Sequence, residues 1–130
     1  MGLDNDLELL PCSFQFHNFQ DKVGEVNLIC QITKMKQSFY VWLAEYNDQS
    51  LKHLAVASTV AGDGKKQVLS TKILGPIVDD TSSFIASRLS AKVGVPVFVS
   101  FNVMTDNLSL PAIEKRIAQE FNNHPELLVF

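Results

Sequence analysis

Three histidines, His17, His53 and His124, are the residues of this sequence best suited to bind a metal ion or carry a proton. Two histidines that share a metal ion on one helix face need an i, i+4 spacing, and no two of these three have it. The two cysteines, Cys12 and Cys30, do not have a metal-binding spacing either. We therefore expect no metal site and no cofactor, with the two thiols buried as ordinary core groups.

Asp79 and Asp80 are the carboxylate pair most suited to acid and base chemistry, because adjacent acids can split their pKa values. They stand directly before Thr81 and Ser82, where the spacing of apolar residues predicts the start of a helix. Exposed amides and the helix dipole favour acids at such a position without any catalysis. A helix cap is therefore the simpler interpretation of this pair.

No other segment shows the pattern of an enzyme. The run from Gly62 to Lys66 has the glycines and lysines of a phosphate-binding loop, but it lacks the GxxxxGK[ST] spacing and no helix follows it. It predicts a hairpin loop over residues 61–67. No serine stands in a GxSxG elbow, so there is no candidate nucleophile. We predict that the protein is not an enzyme.

Length and composition predict a single globular domain. The chain has 130 residues, of which 46% are hydrophobic and 19% charged. We expect one domain over residues 1–130, with a core over 14–122 and a flexible segment over 1–12. The first residues carry acids instead of a basic region, and no apolar run reaches about 18 residues, so neither a signal peptide nor a membrane span is expected.

The charge pattern argues against nucleic acid and anionic membranes as partners. The net charge is −3, and the lysines and arginines form isolated pairs instead of one basic run. Nucleic-acid binding depends on neutralising many phosphates, which these pairs cannot do. We expect a cytoplasmic protein, with the nucleus as the second compartment.

Alternating apolar and polar residues predict about six strands, and two later segments have helical spacing. The predicted strands begin at Phe14 and then run over residues 26–35, 38–46, 54–59, 68–74 and 95–103, and the predicted helices run over 79–94 and 109–124. Most of the strands follow one another as hairpins. The prediction is an α+β fold with a mainly antiparallel sheet of about six strands and both helices on one face.

The strand over residues 38–46 is apolar on both faces, although two short helices can cover only one. The large side chains expected on the uncovered face are Ile29, Tyr40, Trp42 and Phe98. Burying each of them is worth roughly 1.5–3 kcal/mol, so their sum is comparable to the whole stability of a domain. We therefore predict that this face binds another subunit. Two alternatives remain open from the residues alone: a pocket for a small ligand, and a homodimer unrelated to any larger assembly.

Several segments resemble, in their order along the chain, the proteasome assembly chaperone 4 family. They are residues 16–19, 38–43, 51–57, 80–82, 86–92, 97–102 and 114–117. None of them is a catalytic motif, so the resemblance rests on their number and order. It is collinear from about Phe14 to Phe121, which is most of the chain.

The resemblance implies a chaperone that pairs with proteasome assembly chaperone 3 and promotes α-ring assembly of the 20S core particle. It implies binding to α-type subunits, the fifth in particular, and no nucleotide or metal. Because such a chaperone must later dissociate, we expect polar loops and helix ends to contact the α-subunit. The candidates are Asp79, Asp80, Thr81, Lys65 and Lys66. The alternative for both segments is an ordinary solvated turn.

Overall fold

The computed structural model describes residues 14–62, 65–77, 79–104 and 109–128, and at 61, 62, 65 and 66 it describes the backbone alone. The strands are β1 (Gln15–Val23), β2 (Val26–Met35), β3 (Ser38–Glu45), β4 (Leu54–Gly62), β5 (Lys65–Leu74) and β6 (Val97–Phe101), and the helices are α1 (Thr81–Val93) and α2 (Leu110–Asn123). A short 3₁₀ helix over Pro125–Leu128 ends this part of the chain. Among these helices, none has the length and apolar content that a membrane crossing requires.

The six strands form one sheet in the order β1-β2-β3-β6-β4-β5. Four of the five neighbouring pairs are antiparallel, and the β3–β6 pair is parallel. Parallel neighbours need a long connection, and here the β4–β5 hairpin and α1 lie between them in sequence. The prediction of an α+β fold with a mainly antiparallel sheet is confirmed.

The hairpins of the first three strands are tight. Val23 pairs with Val26 and Met35 pairs with Ser38, so each turn has two residues. Gly24 adopts a φ of 62°, a left-handed conformation in which a glycine carries no steric penalty. Backbone pairing carries β1 to Val23.

The predicted loop over residues 61–67 was too long. Strand pairing extends β4 to Gly62 and begins β5 at Lys65, and the residues between them lie outside the described part of the chain. The last strand was predicted over residues 95–103 and is shorter at both ends, since β6 runs over Val97–Phe101. Its pairing starts at Val97, because Pro96 has no N–H to donate to a ladder.

Both helices pack on one face of the sheet, where the described core lies. Its fully buried side chains include Leu28, Cys30, Ile32, Phe39, Val41, Leu43, Val97 and Val99 from the strands and Ile85, Ile113, Ile117 and Phe121 from the helices. Phe39 and Phe121 meet edge to face with their ring centroids 5.3 Å apart. The alternation that predicted these strands therefore marks which residues meet the helices.

Of the two cysteines, Cys30 is a core thiol as expected, and Cys12 lies outside the described residues. Burial, with a smaller contribution from the charge of Glu120, raises the pKa of the Cys30 thiol well above its ordinary range. The thiol stays protonated and unreactive. The segment expected to be flexible, residues 1–12, also lies outside the described residues.

Candidate functional site

The face of the sheet opposite the helices is the candidate site, and we call it the open face. No helix or strand of the described chain packs on it. Strand register places Ile29 beside Ala44, and Tyr40 beside both Thr33 and Phe98. The four residues predicted for this face, Ile29, Tyr40, Trp42 and Phe98, therefore lie on one side of β2, β3 and β6. All four are half-buried, whereas their neighbours on the helix face are fully buried.

Two aromatic anchors of the open face have their polar atoms bonded. The indole N–H of Trp42 donates to the carbonyl oxygen of Ser50 at 3.0 Å. Burial raises the pKa of Tyr40, and a hydrogen bond with Ser100 offsets part of that rise. The two rings are thus held in place while each stays partly exposed on the open face.

The loop that contacts Trp42 is tied down by the buried side chain of Asn102. Its Oδ1 accepts the backbone N–H groups of Lys52 at 2.7 Å and His53 at 3.1 Å. Its Nδ2 donates to the carbonyl of Leu43 at 3.2 Å and to the hydroxyl of Ser100 at 2.9 Å. One amide therefore joins β3, β6 and the loop before β4, which fixes one end of the open face.

The open face extends further than the sequence predicted. On its β1 side, Phe14 and Phe16 line a shallow depression together with Gln31, Thr33, Met35, Tyr40 and Trp42. On its β5 side, the register that pairs Ser58 with Leu69 puts Leu69 and Ile73 on this face. Phe16 and Leu69 are 58% and 61% exposed. The alternation of apolar residues in β1 and β5 indicated that each strand has an apolar face. Only the strand order shows that both of these faces continue the open face.

The predicted corner at the start of α1 is built around Asp79. Asp80 occupies the cap position without a side-chain cap bond, and Asp79 Oδ1 instead accepts the N–H of Thr81 at 3.1 Å. Burial acts to raise the pKa of Asp79, but hydrogen bonds from Thr81 and the charges of His53 and Lys72 outweigh it and lower that pKa. Asp80 pairs with Lys72 at 3.0 Å and is largely exposed. The cap interpretation thus applies to Asp79.

The other candidate pair, Lys65 and Lys66, begins β5, and its side chains lie outside what the structure describes. The Asp79 corner follows the opposite end of β5, after Leu74. Leu74 comes eight positions after Lys66 along the strand, which corresponds to roughly 26 Å. The structure therefore does not bring the acidic and basic candidates together.

A third cluster was missed by the sequence analysis, which expected no metal site. His17 on β1 meets Glu120 of α2 with 2.6 Å between Nε2 and Oε2, and His124 Nε2 lies 3.5 Å from the same oxygen. Burial acts to raise the pKa of Glu120, but hydrogen bonds from His17 and Arg116 lower it overall. The expectation rested on the spacings between histidines and between cysteines, and it did not include a carboxylate as a ligand. The available signal was the i, i+4 spacing of Glu120 and His124.

Comparison with known proteins assigns a family. The family model described as Proteasome assembly chaperone 4 matches residues 27–103. Proteins named Proteasome assembly chaperone 4 from Homo sapiens and Mus musculus are 32% and 31% identical to this chain over 111 residues, covering 85% of this chain and 87% of each relative.

One solved structure has the same fold. It is described as a crystal structure of a novel chaperone complex for yeast 20S proteasome assembly. Its chain superposes with a TM-score of 0.64 at 14% sequence identity, over 92% of this chain and 100% of that chain. A sheet of this kind with its helices is therefore found in a protein of very different sequence.

Proposed function

We propose, from the premise that the chain belongs to the proteasome assembly chaperone 4 family, that it pairs with proteasome assembly chaperone 3 through its open face. The pair would promote assembly of the α-ring of the 20S core particle by binding α-type subunits, the fifth in particular. In this proposal the protein acts in the cytoplasm, or in the nucleus, by binding and not by catalysis. The observation that carries it is the uncovered apolar surface on one side of the sheet.

The open face has the composition of a binding surface. It holds large aromatic and aliphatic side chains that lie side by side across all six strands, whereas single exposed apolar residues are usual on any protein. A stable pair would bury on the order of 1,600 Å² in total, with a few aromatic residues contributing most of the affinity. Trp42 is suited to that role because its ring is already oriented by Ser50.

A flat protein surface suits the open face better than a small molecule does. The depression beside Phe16 and Trp42 opens to solvent along its length, whereas small-ligand sites enclose most of their ligand. A second copy of the chain could use the same surface symmetrically. The experiments below distinguish a homodimer and a small-ligand site from the proposed pairing.

For the α-type subunit we propose polar contacts at a helix end and at a loop. Asp80 is the best-placed acid, because its side chain is largely exposed while Asp79 is held by Thr81. Lys65 and Lys66 at the far end of β5 form a separate candidate contact. Polar contacts at exposed corners are weaker than a buried apolar interface, which suits a chaperone that has to dissociate.

The proposed pairing is tested by Trp42→Ala with Phe84→Ala as a matched control. Both changes remove a partly exposed aromatic ring, but Phe84 lies on the outer side of α1 and Trp42 lies on the open face. We expect Trp42→Ala to lower the affinity for purified proteasome assembly chaperone 3 by at least 30-fold, as for a central aromatic residue worth about 2 kcal/mol. Phe84→Ala should leave the affinity unchanged. Titration calorimetry gives both values.

Equal affinities for the two variants would contradict the open face as the pairing surface. A chain that forms a stable dimer alone, seen by light scattering, and that does not bind the purified chaperone would favour the homodimer. A chain that stays monomeric and does not bind the purified chaperone would favour the small-ligand site.

The contact with the α-type subunit is tested on the assembled pair. Asp80→Lys should weaken capture of the purified fifth α-type subunit if the corner before α1 is used. The double change Lys65→Glu and Lys66→Glu should do so if the far end of β5 is used. Asp80 lies at the corner before α1, so pairing should persist in Asp80→Lys. Pairing of the double lysine variant is measured in the same experiment, so that a loss of capture can be assigned. Undiminished capture by both variants would contradict both candidate contacts.

A further inference from the structure

The cluster of His17, Glu120 and His124 has the donor set of a transition-metal site. One ligand atom from each residue lies within 4.8 Å of the other two. The donors are two imidazole nitrogens and one carboxylate oxygen, and they come from different elements, since His17 lies on β1 and Glu120 on α2. Such a set is typical of Zn²⁺ sites with three protein ligands, whereas Ca²⁺ and Mg²⁺ prefer oxygen ligands alone.

One of the two distances to Glu120 Oε2 matches a tetrahedral ion, and the other is shorter. Bonds of about 2.0–2.2 Å place the ligand atoms of a tetrahedral zinc site roughly 3.3–3.6 Å apart. The separation of 3.5 Å between Glu120 Oε2 and His124 Nε2 already fits. His17 Nε2, at 2.6 Å from the same oxygen, would have to withdraw by somewhat less than 1 Å. The His17 side chain is 22% exposed, and its ring lies against that of His124 with 4.3 Å between the ring centroids.

His124 is oriented as a metal ligand by the turn that follows it. Its Nδ1 lies 3.1 Å from Glu126 Oε1, so a proton on Nδ1 is donated to that carboxylate. In the neutral ring Nε2 then carries a lone pair and faces Glu120 Oε2, which is also an acceptor. Two acceptors that face each other are stabilised by a proton or a metal ion between them. A carboxylate behind a histidine in this way is the usual support of a zinc ligand.

The charges around the cluster leave room for a cation. Glu120 Oε1 is bonded by Arg116 Nη1 at 2.8 Å, and the same guanidinium bonds Asp21 at 2.7 Å through Nε. Lys34 donates to the backbone carbonyl of Glu126 at 3.3 Å. The neighbouring carboxylates of Asp21, Glu120 and Glu126 thus outnumber the two cations, Arg116 and Lys34, by one. Arg116 also occupies Oε1, which leaves Oε2 as a single donor atom.

From this geometry we infer that the chain binds one Zn²⁺ ion through His17 Nε2, Glu120 Oε2 and His124 Nε2. Three protein ligands leave a fourth position, which water fills because the two imidazoles are partly exposed. The ion joins the edge strand β1 to the C-terminal end of α2. It therefore stabilises the docking of that edge on the helix face and is independent of the pairing proposed for the open face.

The test is a titration of the untagged chain with ZnCl₂ in a Cys12→Ser background, which removes the thiol outside the described residues. We expect one ion per chain by calorimetry. With free Zn²⁺ at a hundredfold excess over Kd, the melting temperature should rise by roughly 10 °C. MgCl₂ at the same concentration should produce no shift.

Variants locate the site. His17→Gln and His124→Gln should each abolish the zinc-dependent rise in melting temperature. His53→Gln is the matched control, since His53 is also half-buried beside a carboxylate, 3.8 Å from Asp79, and should bind zinc normally. Glu126→Gln should weaken zinc binding by about 10- to 100-fold, because it removes the support of His124 without removing a ligand.

Circular dichroism of each variant without metal checks that the fold is retained, and Glu126→Gln is informative even if a ligand variant unfolds, because Glu126 is exposed. Absence of heat and of a melting shift at millimolar ZnCl₂ would overturn the inference and leave an ion-pair cluster. Zinc binding that survives both His17→Gln and His124→Gln would overturn it as well.

Discussion

Both faces of the sheet carry large apolar side chains, but their environments differ. On β3, Phe39, Val41 and Leu43 are fully buried under the helices, while Tyr40 and Trp42 between them are half-buried on the open face. Alternate residues of the same strand therefore belong to two different surfaces. The comparison teaches that apolar alternation on both sides of a strand does not imply two covered faces. One face stabilises this chain, and no helix or strand of the described residues covers the other.

The two faces also differ in side-chain type, as expected if one face is a permanent core and the other is exposed to water in the free protein. The helix face uses mainly aliphatic residues, which have no polar atom to satisfy. The open face uses Tyr40 and Trp42, whose polar atoms are already bonded to Ser100 and Ser50. Such rings tolerate water in the free protein and add apolar area in a complex.

The largest effect should come from comparing adjacent residues, Phe39→Ala and Tyr40→Ala. Phe39 is fully buried against Phe121, so its truncation should lower the free energy of unfolding by about 3–5 kcal/mol. Tyr40 is half-buried, and its truncation should lower the free energy of unfolding by no more than about half as much. Urea unfolding measured by circular dichroism gives both values. Equal losses would contradict the difference between the two faces.

A middle-sized effect is expected where the open face is anchored. Asn102→Ala would leave the amides of Lys52 and His53 without their acceptor, and should cost about 1–3 kcal/mol. Trp42 is the only tryptophan of the sequence, so its fluorescence also reports any movement of the loop that holds it.

Gln49→Ala is the matched control for Asn102→Ala. Gln49 lies in the same loop, and its amide makes one exposed hydrogen bond to the carbonyl of Tyr46. We expect its loss to change the free energy of unfolding by less than about 0.5 kcal/mol. If Asn102→Ala were as mild as this control, the loop would be held by other contacts.

The smallest effect should be found away from both faces, at Asp79. The pKa of Asp79 is lower in the folded chain than its ordinary value of 3.8, so its stabilisation is fully present above that value. It is lost as the pH falls through the lower, folded pKa. Asp79→Asn keeps a capping oxygen and removes only a charge that is 40% exposed and therefore screened, so it should reduce the free energy of unfolding by less than about 0.5 kcal/mol at pH 7.

At about pH 2 the wild-type chain and Asp79→Asn should differ less than at neutral pH, because the wild-type carboxyl is then losing its charge. Urea unfolding at both pH values provides the measurement. A difference between the two proteins that grew on acidification would contradict the lowered pKa. Asp80→Asn serves as the control, since Asp80 makes no cap bond.

Much of the fold could be predicted from local patterns. The bounds of β2 were predicted as they are, and both helices were placed within two residues of their ends. The side-chain periods of a strand and of a helix differ, and this chain follows them consistently. The separation of Phe39 from Tyr40 onto opposite faces followed from the same alternation. The placement of Ile29, Tyr40, Trp42 and Phe98 on one uncovered face needed one further step, the count of helices. Their role in pairing stays a prediction.

The parts that could not be predicted depend on pairing between distant segments. The parallel neighbour of β3 is β6, more than fifty residues later in the chain, and only that order makes Phe16 and Leu69 two edges of one surface. The pairing of β4 with β5 continues to Gly62 and Lys65, because ladder hydrogen bonds outweigh a local turn preference.

The sequence by itself determined the elements, the two faces of each strand and the resemblance to a chaperone family, because these properties are written in residue type and short spacing. Only the tertiary structure decided which residues from separate elements meet. It brought His17 to Glu120 across 103 positions of sequence. It also placed Lys66 at the start of β5 and Asp79 in the segment after the end of that strand. The physical reason is that strand order and helix docking minimise the free energy of the whole chain, and no short segment contains that information.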